Sequence, residues 1–206
     1  MTVLHHPPAT LIHTPRSYVA VLDCADVFPK VQPFEVEIGS GDGSFLAGYA
    51  TAHPGRNFLG VERLLGRLRK LDRKGRRLGL SNLKLIRLEA SYVVEHLLPK
   101  NSVEALHIYF PDPWPKRRHH GRRLINARFI EAVRLVLAPS GRVYLRTDDA
   151  DYFAQMTEVF GANASYCSVE TPEPLRAMLT DFERTFSAKG IPTLRAAFAR
   201  SERPSA

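Results

Sequence analysis

The chemistry of this chain concentrates in one stretch, Tyr109-Phe110-Pro111-Asp112-Pro113-Trp114-Pro115-Lys116-Arg117-Arg118-His119-His120-Gly121-Arg122-Arg123. An apolar run over residues 105–110 leads into it and reads as a buried strand. Three prolines in the next five residues exclude both strand and helix. Pro111 and Pro113 also push the residues before them toward extended geometry. One carboxylate, Asp112, and one indole, Trp114, are thereby held on a stiff turn at a strand end, with a dense cationic segment behind. A carboxylate beside a flat aromatic and a wall of Lys and Arg suits a site that reads a purine within an anionic polymer. A proline-rich loop with a solvated basic tail has the same composition, so the decision rests on the rest of the chain.

A second constellation is Glu37-Ile38-Gly39-Ser40-Gly41-Asp42-Gly43, which closes a strand and opens a helix. Gly39 and Gly41 allow a tight turn and a close approach of backbone to a ligand, and the helix start offers free amide donors. Glu62 ends the next strand about twenty residues on, where an acid can accept both ribose hydroxyls of an adenosine. A nicotinamide dinucleotide and S-adenosylmethionine share these features and differ in charge. Glu37, Glu89 and Asp112 place acids along the strand ends where ligands of such sheets lie. That rim repels a pyrophosphate and suits a cationic cofactor, which favours S-adenosylmethionine. Cys24 and Cys167 make no metal-ligand spacing and are expected as buried thiols in a reducing cytoplasm.

The elements that position these residues alternate. Strands are expected over residues 34–38, 57–61, 82–88, 103–110 and 142–146, with helices over 44–51, 64–78, 92–98, 126–137 and 149–160 between and after them. Alternation of this kind implies a parallel sheet covered on both faces. Beyond Gly161 a strand over 165–169, a helix over 180–188 and a strand over 194–199 suggest an antiparallel edge. The expected fold is therefore α/β, a doubly wound, mostly parallel seven-stranded sheet with an antiparallel last strand. Residues 34–206 form a single domain in this reading. Residues 1–33 form a weakly structured arm with a short helix over 17–22.

Composition narrows the function classes. The chain has 206 residues, 44% hydrophobic and 24% charged, ordinary for one globular domain. No apolar run approaches the ~18–20 residues of a membrane-spanning helix. The net charge of +8 and a pI near 9.8 imply an anionic partner. Two basic segments locate it, residues 63–77 and 116–123. Lys116, Arg117, Arg118, Arg122 and Arg123 are expected to meet phosphates. Arg67, Arg69, Lys70, Arg73, Lys74, Arg76 and Arg77 form either a solvated helix face or a phosphate track.

The chain resembles the bacterial tRNA (guanine-N7)-methyltransferases, which methylate guanine 46 of the variable loop. The resemblance covers roughly residues 34–200. It is most specific in Tyr109-Phe110-Pro111-Asp112-Pro113-Trp114-Pro115-Lys116, and continues in Gly60-Val61-Glu62, Thr147-Asp148 and Thr180-Asp181-Phe182-Glu183. It implies that Glu37, Glu62, Glu89 and Asp112 bind S-adenosylmethionine, and that Lys116, Asp148 and residues 180–183 (Thr180, Asp181, Phe182, Glu183) bind the tRNA. It implies a cytoplasmic enzyme without an obligate protein partner, monomeric or homodimeric. Two residues depart from the family pattern. Glu89 stands where Asp is more common, and Asp181 stands where a basic residue is usual. The arm shows no clear match.

The chemistry agrees with the resemblance. Guanine N7 has an in-plane lone pair and no proton, so its methylation needs alignment rather than a base. Carboxylates can grip the guanine N1–H and amino group and exclude adenine. They also stabilise the cationic ring of the product, and Asp112 or Asp148 can do either job. His119 and His120 have no proton transfer to perform and are read as loop or phosphate contacts. Two alternatives share these residues. One is a methyltransferase acting on another amine or base, since the Asp-Pro-Trp turn resembles the Asn-Pro-Pro-Tyr turn of amino methyltransferases. The other is an RNA-binding module that keeps the fold without catalysis.

Overall fold

A computed structural model describes residues 10–201 of the chain. Its seven strands are β1 (Phe34–Ile38), β2 (Asn57–Val61), β3 (Leu83–Ile86), β4 (Val103–Tyr109), β5 (Leu137–Thr147), β6 (Tyr166–Val169) and β7 (Leu194–Arg200). They form one sheet in the order β3-β2-β1-β4-β5-β7-β6. The first five run parallel, and β7 is antiparallel to both neighbours. The doubly wound sheet with an antiparallel last strand is as expected. Of the two late strands, β7 inserts between β5 and β6, so the outermost strand is β6. β5 starts five residues before the expected 142, because the Pro139-Ser140-Gly141 stretch is absorbed as a register shift against β4.

The helices are α1 (Cys24–Val27), α2 (Leu46–Ala52), α3 (Leu65–Arg77), α4 (Ala90–Tyr92), α5 (Ala127–Val136), α6 (Ala150–Gly161), α7 (Glu173–Ala177) and α8 (Asp181–Ser187). Their termini follow from local chemistry. The Asn126 side chain accepts the Phe129 N–H at 3.0 Å and starts α5, and Asp149 accepts the Tyr152 N–H at 2.7 Å and starts α6. α6 then buries Tyr152, Met156 and Phe160, one per turn.

The sheet's two faces differ in chemistry. Val36, Ile38, Leu106, Ile108, Val143 and Leu145 fill one apolar core with α5 and α6. The alternate residues carry polar groups toward the other core: Glu35 and Glu37 on β1, His107 and Tyr109 on β4, Tyr144 and Arg146 on β5. His107 bridges the Tyr109 hydroxyl (2.8 Å) and the Glu35 carboxylate (2.9 Å), and Arg56 reaches Glu35 at 3.0 Å. Burial lowers the His107 pKa, with the Glu35 hydrogen bond acting against it.

Two expectations need correction. The arm is anchored over residues 10–13, and the helix expected over 17–22 is absent, a shorter one forming at α1. Leu11 is fully buried, Ile12 bridges Leu85 of β3, and Asp72 of α3 accepts the Leu11 N–H (2.7 Å) and Thr10 hydroxyl (3.0 Å). Burying one leucine contributes about 1.5–3 kcal/mol, enough to hold a segment without periodicity of its own. Cys167 is exposed on β6 and Cys24 half-buried, because position 167 points off the outer strand. The sequence before residue 10 lies outside the described residues. No described helix is long and apolar enough to cross a membrane.

Candidate active site

The carboxyl ends of β1, β2, β3 and β4 converge on a cleft of about 260 Å³. Its apolar wall includes Ile38, Val61, Leu88 and Ile108, and Gly39, Glu62, Glu89, Asp112, Trp114 and Arg122 line it. Gly39 and Gly41 have φ of +74° and +56°, so the turn after β1 uses the left-handed region that other residues resist. The backbone therefore passes close to the cleft without a side chain in the way.

The four acids differ in how they are held. Glu62 is buried, with Oε2 accepting the Gly41 N–H (3.2 Å) and Oε1 the Leu64 N–H (2.7 Å), which locks it against the glycine turn. Glu37 is buried one residue before the cleft wall, and its Oε2 has no hydrogen-bond partner among the described residues. Burial raises its pKa to about 8; Arg146 opposes the shift, while Glu62 and Asp42 add to it. Glu89 is exposed and caps α4. Burial pushes its carboxyl up, but bonds from the Ser91 hydroxyl and the backbone N–H groups of residues 90–92 outweigh that and hold it low. Asp112 is exposed on the turn and accepts the Trp114 N–H at 3.3 Å.

The turn is more constrained than its prolines require. Phe110 precedes Pro111 yet has a φ of +51° instead of the extended geometry expected, and Trp114 has +47°. Side chains resist this region, at about 1–3 kcal/mol per residue, so the surroundings must impose it. The Phe110 N–H donates to the Arg146 carbonyl (2.8 Å). Arg123 donates from Nε to the Pro113 carbonyl (2.8 Å), from Nη1 to Gln155 (2.7 Å) and from Nη2 to Asp151 (2.5 Å). Its guanidinium also lies 4.8 Å over the Tyr152 ring. Arg123 is thus buried and pins the turn to α6, which corrects its expected contact with phosphate. Arg122 lies 5.0 Å over the Trp114 ring, and His119 meets that ring edge-on at 5.8 Å.

The residues expected on the substrate side are spread out. Gly41 fronts a second cleft, of about 390 Å³, with Asp42, Arg67, Lys70, Asp181, Phe182, Thr185 and Phe186. Lys116 and Asp148 are exposed and line neither cleft. Asp149, not Asp148, caps α6. Thr180 and Glu183 are buried in a reciprocal capping box that starts α8. Glu183 also binds Arg146 (2.8 Å) and Arg195 (2.7 Å). Asp181 pairs with Arg184 at 2.7 Å, and Phe182 stays half exposed.

Residues 31–196 match the family model described as "Putative methyltransferase". The chain is 37% identical to the tRNA (guanine-N(7)-)-methyltransferase of Hydrogenovibrio crunogenus, over 80% of this chain and 70% of that protein. It is also 37% identical to the enzyme of the same name from Halorhodospira halophila, over 82% of this chain and 76% of that protein. The chain belongs to the tRNA (guanine-N7)-methyltransferase family. Among solved structures, the 16S rRNA methyltransferase KamB superposes with a TM-score of 0.62 at 16% identity, covering 86% of this chain and 92% of that one. TrmN from Thermus thermophilus superposes with a TM-score of 0.58 at 15% identity, covering 82% of this chain and 44% of that one. These two likenesses carry the methyltransferase fold.

Proposed function

We propose that the protein transfers the methyl group of S-adenosylmethionine to N7 of guanine 46 in the variable loop of tRNA. The reading places it in the cytoplasm, as a monomer or homodimer. The observation that carries it is the acid-lined cleft at the end of β4, beside a pinned Asp112–Trp114 turn and a cationic run, in a chain of this family.

The residues fit the cofactor. Oε2 of Glu37 is a buried atom without a hydrogen-bond partner among the described residues, and S-adenosylmethionine brings an ammonium and a sulfonium. Glu62, already fixed against the glycine turn, presents its carboxylate to ribose hydroxyls, and Glu89 serves the adenine end. When bound, the cofactor supplies an electrophilic methyl group. Asp112 orients the acceptor base and stabilises positive charge as it develops on the guanine imidazole ring. Asp148 accepts from the guanine N1–H and amino group, and Lys116 meets a phosphate. Thr180 and Glu183 serve the substrate by building α8, and Asp181 and Phe182 present themselves on its exposed side.

If Glu62 holds the ribose, its loss removes a hydrogen bond to a charged group, contributing about 1.5–3 kcal/mol. Glu62→Ala is therefore expected to weaken cofactor binding by about one to two orders of magnitude. Calorimetric affinity equal to wild type in a folded variant would remove Glu62 from the site. The position on the tRNA is tested with a transcript carrying 7-deazaguanosine at position 46. This base keeps its N1–H edge and lacks N7. Methyl acceptance is expected to vanish; undiminished acceptance would show that another atom or another guanine is the target.

A further inference from the structure

We infer that the cleft between α3 and α8 is a second nucleotide subsite. There a base flanking the methylated guanine stacks on Phe182, and its phosphate meets Arg67 and Lys70. The inference rests on the reading of the protein as a tRNA methyltransferase and adds a specific contact to it.

The basic helix has distinct flanks. α3 buries Leu68, Leu71, Asp72 and Gly75. Arg76 pairs with Asp72 at 3.2 Å, and Lys74 donates to the Gly43 carbonyl at 3.2 Å. Arg69, Arg73 and Arg77 are exposed away from the cleft lining. Arg67 and Lys70, three residues apart on the same face, front the cleft. A uniformly solvated helix would have no reason to aim two cations into a concavity.

The opposite wall supplies an aromatic platform. Phe182 stacks on Phe110 with ring centroids 5.7 Å apart and an interplanar angle of 26°, and Phe186 packs against Phe110 at 5.8 Å. Phe182 is nonetheless half exposed. Its orientation is fixed by packing while it keeps surface for a further ring. Stacking on such a platform accepts any base.

The mixture of groups selects the ligand class. Asp42 and Asp181 also line the cleft, and Asp181 is paired with Arg184 at 2.7 Å. Acids disfavour a simple anion, and they offer acceptors to the exocyclic amino group of a base. Cations for a phosphate, acceptors for an amino group and an aromatic face together match a nucleotide. At about 390 Å³ the cleft falls within the range of about 300–1,000 Å³ typical of small-ligand sites. It adjoins the first cleft, because Arg67 lines both and Phe110, which backs Phe182, lines the first. This continuity makes the occupant a neighbour of the target guanine.

The test uses full-length tRNA transcripts with 2-aminopurine on one or the other side of the target guanine. Binding to wild type is expected to quench one of the two probes. Phe182→Leu should abolish that quench and raise the KM for tRNA about tenfold or more, while Phe182→Tyr retains both. Arg67→Ala with Lys70→Ala should reduce the slope of log affinity against log salt by about 0.7 for each phosphate no longer neutralised. The affinity of the Phe182 variants for S-adenosylhomocysteine should stay unchanged, since Phe182 does not line the first cleft. If folded Phe182→Leu quenches and turns over tRNA like wild type while making 7-methylguanine, the subsite is wrong and the reaction stands. If wild type shows a Phe182-dependent quench but makes no 7-methylguanine, the subsite stands and the reaction is wrong.

Discussion

Arg146→Met is expected to destabilise the fold by about 3–5 kcal/mol, the cost of breaking a buried ion pair from one side. For a domain of this size that lowers the melting temperature by roughly 6–20 °C. Arg146 is 1% exposed on β5 and holds the α7–α8 segment to the sheet. Nη1 donates to the Met178 carbonyl (2.8 Å) and Glu183 (2.8 Å), and Nη2 donates to the Leu175 carbonyl (2.6 Å). Its guanidinium lies 4.2 Å over the Tyr109 ring. Methionine fills much of the volume but leaves two carbonyls and a carboxylate oxygen without this donor. Glu183 keeps Arg195 and its capping box, which places the effect toward the lower end of the range. Adding Glu183→Gln to Arg146→Met should cost less than the sum of the single changes, since both remove the same ion pair. Denaturant unfolding measures all three. A loss below about 1 kcal/mol for Arg146→Met would show that the segment is held by its apolar contacts alone.

The second large effect belongs to Glu37 and pH. Its pKa is raised from 4.5 to about 8, chiefly by burial. The folded state therefore binds this proton more tightly than the unfolded chain. The resulting stability is fully present below about pH 4.5 and is lost as pH rises through about 8. At about 1.36 kcal/mol per unit, the loss is on the order of 5 kcal/mol. Glu37→Gln is close in shape to the protonated acid and carries no such titration. The difference in unfolding free energy between wild type and variant should shift in the variant's favour from pH 6 to pH 9, in the absence of cofactor. The variant should bind S-adenosylmethionine more weakly if Glu37, as proposed, faces the cofactor's positive charges. Cofactor binding at pH 7 should release protons from wild type only, seen as a dependence of binding heat on buffer ionisation enthalpy. Parallel pH profiles for the two proteins would contradict the protonated, buried carboxyl.

The chain announces the ligand-facing ends of its strands and conceals what lies beneath them. Glu62 and the glycines after β1 are legible because turn chemistry and spacing are local. The Asp112 turn is legible for the same reason. Its positive φ angles at Phe110 and Trp114 are not, because they depend on the Arg146 carbonyl of β5 and on Arg123, whose own partners Asp151 and Gln155 lie in a distant part of the chain. Arg123 sits in a cationic run where composition points to solvent or phosphate, and only the α6 partners reveal it as buried. Arg146 could have been suspected from the alternation in β5, where a charge occupies an inward position beside Tyr144. The Thr180–Glu183 spacing carries a capping-box signature, a structural job readable next to the substrate role implied by resemblance. The arm shows no periodicity because its buried hydrophobic residues, Leu11 and then Val27 and Phe28, are separate anchor points and not one face of an element.

The central claim is tested most directly by incubating the protein with bulk tRNA and S-adenosylmethionine, then treating the RNA with mild alkali and aniline. Methylation at N7 opens the guanine ring and allows the chain to be cut at that nucleotide. The account predicts cleavage at guanine 46 of the variable loop, dependent on both enzyme and cofactor. Methyl label incorporated into tRNA without that cut would place the methyl group on another atom and contradict it.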